Sequence, residues 1–292
     1  MTRKRPLKKP DWLKIRLTSG ENVNLVHGLL DDLSLHTVCQ EARCPNIHEC
    51  FNNRTATFMI LGDVCSRNCG FCSVTPGRPA APDPEEPSRV ADAVGRLGLD
   101  YVVITSVTRD DLEDQGSRQF ARTVEAVKSG SPACRVELLI PDFGGRRDLL
   151  EYVLQAEPDV LGHNIETVPA LYRRVRPQAD YERSLAVLSM AASFRERHAR
   201  ALRVKSGIMV GLGETFAQIV ETMNDIRRTG CDIMTLGQYL SPLPDSLPVE
   251  RYYDPAEFDS FREQGLAMGF RHVESGPLVR SSYHAREQAD KL

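Results

Sequence analysis

The sequence of 292 residues predicts an α/β fold, a partial TIM-type barrel made of six strand–helix units. Short runs rich in β-branched residues alternate along the chain with helical patterns, and Gly, Pro or polar residues stand beside them. This alternation is typical of parallel strands joined by right-handed crossovers. A closed barrel of this type has eight units, so six units, (βα)6, predict a barrel that is open on one side.

The elements of the six units are placed from the same patterns. The predicted strands span residues 57–61, 101–105, 135–140, 159–163, 203–210 and 232–236. The predicted helices cover the apolar stripes 90–97 and 216–226 and the segments 118–128, 148–156, 181–196 and 255–268. The helix at 216–226 opens with Thr215-x-x-Gln218, a capping-box pattern.

Three segments are expected along the chain. An N-terminal extension covers residues 1–55, the barrel covers 56–275, and a C-terminal tail covers 276–292. The Pro-rich stretches 76–87 and 241–248 are predicted loops.

Composition and charge narrow the classes of function. The net charge of −3 argues against a nucleic-acid partner, because such proteins usually carry a basic surplus. No stretch approaches the roughly 20 apolar residues of a membrane span, and no secretory signal is recognisable, so a cytoplasmic location is expected. Five Lys or Arg among the first ten residues are interpreted as a solvated basic tail, a dock for an acidic protein or a cover over the active site.

Six of the eight cysteines fall into two closely spaced sets, which favours metal or redox use over disulfides. Cys65-x3-Cys69-x2-Cys72 directly follows the first predicted strand. Soft thiolates select zinc or iron–sulfur clusters, and a structural zinc site normally takes four ligands. Three thiolates instead suit a [4Fe–4S] cluster with one iron open to a small molecule.

The set Cys39-x4-Cys44-x5-Cys50 predicts a second, auxiliary cluster. Its fourth ligand is open at this point: His36 and His48 are nearby, although a histidine is more often an ordinary surface or core residue. The isolated Cys134 and Cys231 are predicted to be buried apolar residues.

The segment Cys65-Ser66-Arg67-Asn68-Cys69-Gly70-Phe71-Cys72 resembles the signature of the radical S-adenosylmethionine (SAM) superfamily. Together with the preceding C-x4-C-x5-C set, it resembles the lipoyl synthases. The similarity continues at LHTVC (35–39), CPN (44–46), ATF (56–58), TRDDL (108–112), ELLIPDF (137–143), HNIETV (163–168) and RSSY (280–283).

The resemblance implies two [4Fe–4S] clusters and SAM as cofactors. SAM would bind the open iron of the cluster at Cys65, Cys69 and Cys72 and be split by one electron into methionine and a 5′-deoxyadenosyl radical. A serine of RSSY would be the fourth ligand of the auxiliary cluster; Ser282 is the first choice and Ser281 the alternative. A serine oxygen matches cluster iron less well than a thiolate, which suits a cluster that is dismantled as the sulfur source.

Candidate SAM contacts lie at the carboxyl ends of the predicted strands, where barrel enzymes place their sites. Asn164 and Glu166 follow the fourth strand, and the family pattern points Asn164 toward SAM. Thr105 and Ser106 resemble the region that meets the SAM amino group, and the glycine segment from Gly207 to Gly211 resembles the strand that borders adenine. Arg174 and Arg176 could pair with the SAM carboxylate in bidentate fashion, or be surface ion pairs. Weaker candidates for the substrate channel are Lys205, Gln238 and Tyr239.

The reaction implied by the resemblance is a sulfurtransferase reaction. Sulfur is inserted at C6 and then C8 of an octanoyl chain, which is attached to a lysine of a lipoyl carrier domain. The implied partners are octanoylated carriers (2-oxoacid dehydrogenase E2 or glycine cleavage H protein), a reducing electron donor and an iron–sulfur carrier for cluster repair.

Three other readings compete. A tRNA methylthiotransferase would place its auxiliary cysteines differently and usually carries a separate basic RNA-binding domain. An iron–sulfur electron carrier would explain two clusters but not a barrel of some 230 residues. A zinc-binding structural module would be colourless when purified.

Overall fold

The computed structural model describes residues 7–14 and 20–291, and one eight-stranded sheet dominates them. The strands are β1 (His36–Thr37), β2 (Thr57–Ile60), β3 (Val64–Cys65), β4 (Thr75–Pro76), β5 (Tyr101–Ser106), β6 (Arg135–Leu139), β7 (Val160–Gly162), β8 (Arg203–Val210), β9 (Ile233–Gln238) and β10 (His272–Gly276). β3 and β4 form a separate two-stranded ribbon, and the others form the sheet in the order β1-β2-β5-β6-β7-β8-β9-β10.

The strands from β2 to β10 in this order are all parallel, which confirms the predicted α/β barrel architecture. The six predicted strands are present, and β10 adds a seventh parallel strand after the sixth unit. β1 runs antiparallel to β2, with His36 opposite Met59. Because β1 and β10 are the two edges, no strand pairing closes the barrel within the described residues.

The predicted helices are confirmed. The helices are α1 (Glu21–Asp32), α2 (Val38–Glu41), α3 (Ile47–Asn52), α4 (Glu86–Leu97), α5 (Ser117–Gly130), α6 (Arg147–Gln155), α7 (Tyr172–Val175), α8 (Tyr181–Arg197), α9 (Phe216–Arg228), α10 (Pro255–Ala267) and α11 (Ala285–Asp290). The capping box at Thr215 and Gln218 is formed at the start of α9. The loop predicted over 76–87 is too long by three residues, because Pro76 ends β4 and Glu86 and Pro87 lie in the first turn of α4.

Apolar side chains from the strands and the surrounding helices form one main core, which also includes Val26 and Leu30 of α1. Cys134 and Cys231 are buried, as predicted for isolated thiols. The barrel interior also contains a buried ion pair, in which Lys205 Nζ lies 2.8 Å from Glu137 Oε1. Tyr101 donates its hydroxyl to the other carboxylate oxygen of Glu137 at 2.6 Å.

Residues 277–284, the C-terminal strap, connect β10 to α11 across the open side of the barrel. Asn46 Nδ2 donates to the carbonyl of Leu278 at 2.8 Å, and the hydroxyl of Tyr283 donates to Glu49 at 3.0 Å. Ala285 of α11 then packs against Tyr101 and Val103 of β5. The strap therefore connects β10 to the N-terminal extension and, through α11, to β5.

Each helix in the described part of the chain is too short or too polar to cross a membrane. Residues 1–6 of the basic N-terminal stretch lie outside the described residues, whereas Lys8 and Lys9 are described and exposed.

Candidate active site

The loop that carries Cys65, Cys69 and Cys72 begins where β2 ends. Backbone hydrogen bonds hold this loop from three sides: Ser66 N donates to the Thr108 carbonyl, Gly70 N to the Val175 carbonyl, and Leu247 N to the Gly70 carbonyl. A Cβ at Gly70 would lie 3.0 Å from the Leu247 side chain, so the close approach of the 241–248 loop favours glycine there. The loop is thus fixed by the segments that follow β5, β7 and β9.

Arg67, a residue of the same loop, binds two carboxylates that follow β5 and β6. It is 7% exposed, and it forms bidentate hydrogen bonds with Asp110 at 2.7 and 2.8 Å and with Asp142 at 2.8 and 3.0 Å. Arg183 also donates to Asp142, at 3.0 Å. Burial alone would raise the pKa of Asp142, but the hydrogen bonds and charge of Arg67, assisted by His163 and Arg183, hold it well below its ordinary value.

The thiols of this loop lie close enough to influence one another. Thr108 N and Arg67 N donate to Cys65 Sγ at 3.3 and 3.4 Å. Burial, and then the neighbouring Cys69 and Cys65, raise the pKa of Cys72 to about 11. Burial also raises the pKa of Cys69, against the opposing charge of Arg176. A metal centre would therefore have to displace protons from buried thiols as it binds.

The second cysteine set lies on the N-terminal extension beside β1. Cys39 is on α2, which Thr37 caps by accepting from Gln40 N, and Cys50 is on α3. Burial and the neighbouring Cys44 raise the pKa of Cys39 to about 11, and burial with Cys39 and Cys44 raises that of Cys50 to about 12. All three thiols line one cavity, so the second cysteine set is brought together.

One cavity of about 480 Å³ connects the two cysteine sets. Its wall includes Cys39, Cys44 and Cys50 from the second set and Cys72 from the first. Apolar side chains contribute much of the remaining wall, among them Val38, Leu139, Ile208, Met209, Tyr239 and Val279. Such a wall suits an alkyl chain, and the cysteines within it suit soft metal centres.

Three of the predicted SAM contacts line this cavity, namely Asn164, Glu166 and Gly207. Asn164 Nδ2 donates to Glu166 Oε1 at 3.0 Å. Burial raises the pKa of Glu166, while Arg176 and Asn164 oppose the rise. A Cβ at Gly207 would lie 2.3 Å from Thr235 Oγ1, so glycine keeps this wall open.

Thr105 and Ser106 are absent from the cavity wall. Thr105 Oγ1 donates to the Leu139 carbonyl at 2.8 Å. The Ser106 hydroxyl is buried without a hydrogen-bond partner among the described residues.

Gly211, Arg174 and Arg176 have other contacts. Gly211 has a φ of +108°, and a Cβ there would lie 2.1 Å from Gln238 Nε2. Arg174 pairs with Glu250 at 3.2 Å. Arg176 is 8% exposed, and its Nη1 donates to the Asn164 carbonyl at 2.9 Å. Arg176 therefore stabilises the backbone at Asn164 in this structure.

Of the three weaker candidates for the substrate channel, two line the cavity and one does not. Gln238 and Tyr239 line the cavity, whereas Lys205 is paired with Glu137 in the barrel interior. His36 and His48 are not part of the cavity wall.

The strap brings both serines of RSSY to the cavity. Ser281 and Ser282 line it beside Arg280, and Ser281 Oγ accepts from Asn164 Nδ2 at 2.6 Å. Sequence reasoning missed Arg280 as a site residue, although it was the first residue of the RSSY motif. Its charge lowers the pKa of Cys44 against the rise that burial causes.

Gly237 was also missed. It lies on β9 under the strap, and a Cβ there would stand 2.1 Å from the Val279 carbonyl oxygen. A lone glycine inside a strand pattern was the available signal, because such a glycine often marks a close backbone approach.

All eight cysteines are free thiols. No three His, Cys, Asp or Glu side chains of the described chain are arranged to hold one metal ion. In an iron–sulfur cluster each thiolate binds a different iron, so the ligands are spread over the cluster. Two sets of three soft donors, each with an open fourth position, fit this chemistry.

Comparison of the sequence and the structure with known proteins identifies the superfamily of this chain. A model of the radical SAM superfamily matches residues 59–226, more than half of the chain. Methylornithine synthase shares the fold with a TM-score of 0.52 at 19% identity, over 82% of this chain and 68% of that one. SuiB from Streptococcus suis, bound to S-adenosylmethionine, has a TM-score of 0.52 at 13% identity, over 91% and 58%. The chain belongs to the radical SAM superfamily, which implies SAM and one [4Fe–4S] cluster.

Within this superfamily the sequence matches one family, the lipoyl synthases. A model of the N-terminal domain of lipoyl synthase matches residues 1–44. The lipoyl synthase of Rubrobacter xylanophilus is 56% identical over 97% of this chain and 87% of its own length. That of Chlorobaculum tepidum is 54% identical over 98% of both chains. The chain is therefore a member of the lipoyl synthase family.

Proposed function

We propose that this chain inserts two sulfur atoms, at C6 and C8, into an octanoyl chain carried on a lysine of a lipoyl carrier domain. The observation that carries the proposal is the common cavity between the two cysteine sets. Cysteines of both sets line this one cavity, so it would hold the SAM-binding cluster, the octanoyl chain and the sulfur source within reach of one another. The lipoyl synthases to which the chain is similar support the same reaction.

Each residue group has a separate role in this proposal. Cys65, Cys69 and Cys72 hold the cluster that binds SAM; Cys39, Cys44, Cys50 and Ser282 hold an auxiliary [4Fe–4S] cluster. When bound, these groups supply the electron that cleaves SAM and the sulfur that is inserted. The chain's own residues orient SAM and the octanoyl chain and keep water away, since unactivated carbons need a radical rather than a base.

The cavity wall suggests how the substrates are held. The apolar side chains of Leu139, Ile208 and Met209 would pack against the octanoyl methylenes. Asn164, Glu166 and Gly207 would contact SAM, and Thr105, Ser106 and Gly211 would support the adjoining backbone. Arg174 and Arg176 stay candidates for the SAM carboxylate only if they leave their present partners Glu250 and the Asn164 carbonyl.

The proposed partners follow from the reaction. Octanoylated E2 or H-protein domains would present the substrate, and Lys9 and Arg43 at the cavity would attract an acidic carrier surface. A reducing electron donor and an iron–sulfur carrier that rebuilds the auxiliary cluster complete the cycle. We also propose a cytoplasmic location and keep the functional division into residues 1–55, 56–275 and 276–292.

The test uses anaerobically reconstituted protein, SAM, dithionite and an octanoyl-lysyl peptide, followed by mass spectrometry. The expected result is a peptide that gains two sulfur atoms, with 5′-deoxyadenosine formed alongside. A protein that carries both clusters and forms 5′-deoxyadenosine but leaves the peptide unchanged would contradict the proposed substrate.

The matched control replaces Cys39, Cys44 and Cys50 with Ala. This variant should still cleave SAM, because Cys65, Cys69 and Cys72 are intact, but it should insert no sulfur. Loss of SAM cleavage in the variant would contradict the division of roles between the two cysteine sets.

A further inference from the structure

Asn164 connects two parts of the cavity through one amide group. Its Nδ2 donates to Glu166 Oε1 at 3.0 Å and to Ser281 Oγ at 2.6 Å. An amide nitrogen carries two hydrogens, so these two bonds use both of them. The amide plane is therefore fixed by one partner on the barrel and one partner on the strap.

The amide oxygen that remains lies beside Gly207 on the cavity wall. A Cβ at position 207 would come within 3.1 Å of Asn164 Oδ1, and both residues line the cavity. Because glycine adds no side chain beside the oxygen and both residues face the cavity, a hydrogen-bond donor on a ligand bound there could pair with it. Glu166 and Cys72 of the first cysteine set line the same cavity as Asn164.

Ser281 belongs to a segment that is held at several other points. The Val279 carbonyl lies directly on Gly237, and the Leu278 carbonyl accepts from Asn46 of the N-terminal extension. Ser282, the next residue, lines the cavity with the second cysteine set. The bond between Asn164 and Ser281 thus joins the wall beside the first cysteine set to the strap beside the second.

We propose that Ser281 is a positioning residue that couples SAM binding to the C-terminal strap. This inference rests on the proposed function, in which Asn164 contacts SAM. Ser281 orients the Asn164 amide for SAM, and SAM in turn holds Asn164 in the orientation that retains the strap. Binding couplings are reciprocal, so whatever Ser281 contributes to SAM affinity, SAM contributes equally to the placement of the strap.

The first test measures the dissociation constant of SAM by equilibrium binding. It uses protein in which Cys39, Cys44 and Cys50 are Ala and only the cluster at Cys65, Cys69 and Cys72 is assembled. In this protein Ser281→Ala should weaken SAM binding about two- to tenfold, as expected for one lost hydrogen bond. Ser281→Thr, which keeps the hydroxyl, should restore most of the affinity, and Ser88→Ala on the surface of α4 should have no effect.

The same protein separates this inference from the alternative role of Ser281 as a cluster ligand. If Ser281 served only as the fourth ligand of the auxiliary cluster, Ser281→Ala would leave the SAM dissociation constant unchanged here. An unchanged constant therefore overturns the proposal. Because SAM binding requires no sulfur insertion, failure of the proposed reaction would show in the peptide assay and not in this measurement.

The second test follows the strap itself by hydrogen exchange of the amides in residues 279–284. SAM should slow their exchange in the protein with Ser281, and the effect should be lost in Ser281→Ala and regained in Ser281→Thr. Equal exchange with and without SAM in the unmodified protein would also overturn the coupling.

Discussion

At the scale of single residues, one carboxylate supports the loop that carries the first cysteine set. Asp142 is fully buried and accepts hydrogen bonds from Arg67 and Arg183. We expect Asp142→Asn to lower the free energy of unfolding by about 3 kcal/mol, because the buried Arg67 loses one of its two carboxylate partners and the partly exposed Arg183 loses its own. Chemical denaturation would measure this loss.

Asp148→Asn is the matched control, because Asp148 pairs with Arg146 at the surface and should contribute little. The Asp142 contribution also depends on pH. Its pKa in the folded chain lies below the ordinary value of 3.8, so the stabilisation is present above about pH 4 and is lost as the pH falls further. Equal stability of the two Asn variants would contradict this account.

His163 gives a second pH dependence in a different range. Burial, and then the charge of Arg176, lower its pKa from 6.5 to about 4. Between these values the unfolded chain takes up a proton that the folded chain does not, so stability falls as the pH is lowered from about 6.5 to about 4. The full contribution is at most about 3 kcal/mol.

His163→Asn should flatten the curve of unfolding free energy against pH in this range, and the exposed His198→Asn should leave it unchanged. Denaturant titrations at several pH values would provide the curves. Parallel curves for the protein and His163→Asn would rule out the role assigned to His163.

We expect the absence of a side chain at Gly237 to be required for the placement of the strap beside the auxiliary site. Gly237→Ala would place a Cβ 2.1 Å from the Val279 carbonyl oxygen, so the strap has to move and Ser282 with it. In protein with Cys65, Cys69 and Cys72 changed to Ala, we expect this variant to bind less iron, as measured by iron content and Mössbauer spectroscopy.

Gly95→Ala is the control, since no atom lies within 4 Å of its added Cβ and alanine is the better helix former. Retention of the full auxiliary iron content in Gly237→Ala would argue against the need for close packing of the strap.

The residues of the site differ in how far the sequence could predict them. Cys65, Cys69, Cys72, Cys39, Cys44 and Cys50 are recognisable because ligand spacing within a short segment is a local property. Arg280 and Gly237 were missed because their roles arise from contacts between distant segments. Likewise, spacing cannot reveal that Arg176 turns toward the Asn164 carbonyl, since side-chain direction depends on the folded surroundings.

At the scale of elements, α11 anchors the end of the strap. Ala285 packs against Tyr101 and Val103, and ion pairs join Arg286 to Asp100 and Arg135 to Asp290. Deleting residues 285–292 should remove this anchor, lower the melting temperature and reduce iron at the auxiliary site. Thermal unfolding and iron analysis would test both effects.

Arg286→Ala is the matched control, because it removes the two exposed ion pairs of Arg286, with Asp100 and Asp290, and leaves the apolar contact in place; it should change neither quantity measurably. If the deletion behaves like Arg286→Ala, the apolar contact does not position the strap.

Among the elements that the sequence did not predict are the two edge strands of the sheet, β1 and β10. β10 has the sequence HVESG, in which only His272 and Val273 are buried, so it lacks the continuous apolar run of a central parallel strand. Its register depends on pairing with β9, where Val273 lies opposite Met234. β1 has two residues and is defined only by its partner β2. Patterns of period two need longer segments than these.

At the scale of the whole molecule, alternation of strand and helix was enough to predict the barrel and its open side. The segment that crosses the open side could not be predicted as structure, because residues 277–284 have no periodic pattern. Only the resemblance at RSSY singled them out. Local patterns therefore predicted the strands and helices of the barrel. The part of the cavity wall that the strap contributes depends on contacts between the strap and the N-terminal extension.

The strap also has a consequence for biosynthesis. Its contacts with the extension join residues separated by 232 and 234 positions along the chain, namely Asn46 with Leu278 and Glu49 with Tyr283. Because synthesis runs from the N-terminus, both cysteine sets and most of the barrel exist before the ribosome adds these last residues. The nascent protein thus passes through a stage with the six cysteines of both sets but no RSSY serine. Synthesis of the cysteine sets and synthesis of the strap are therefore separate in time.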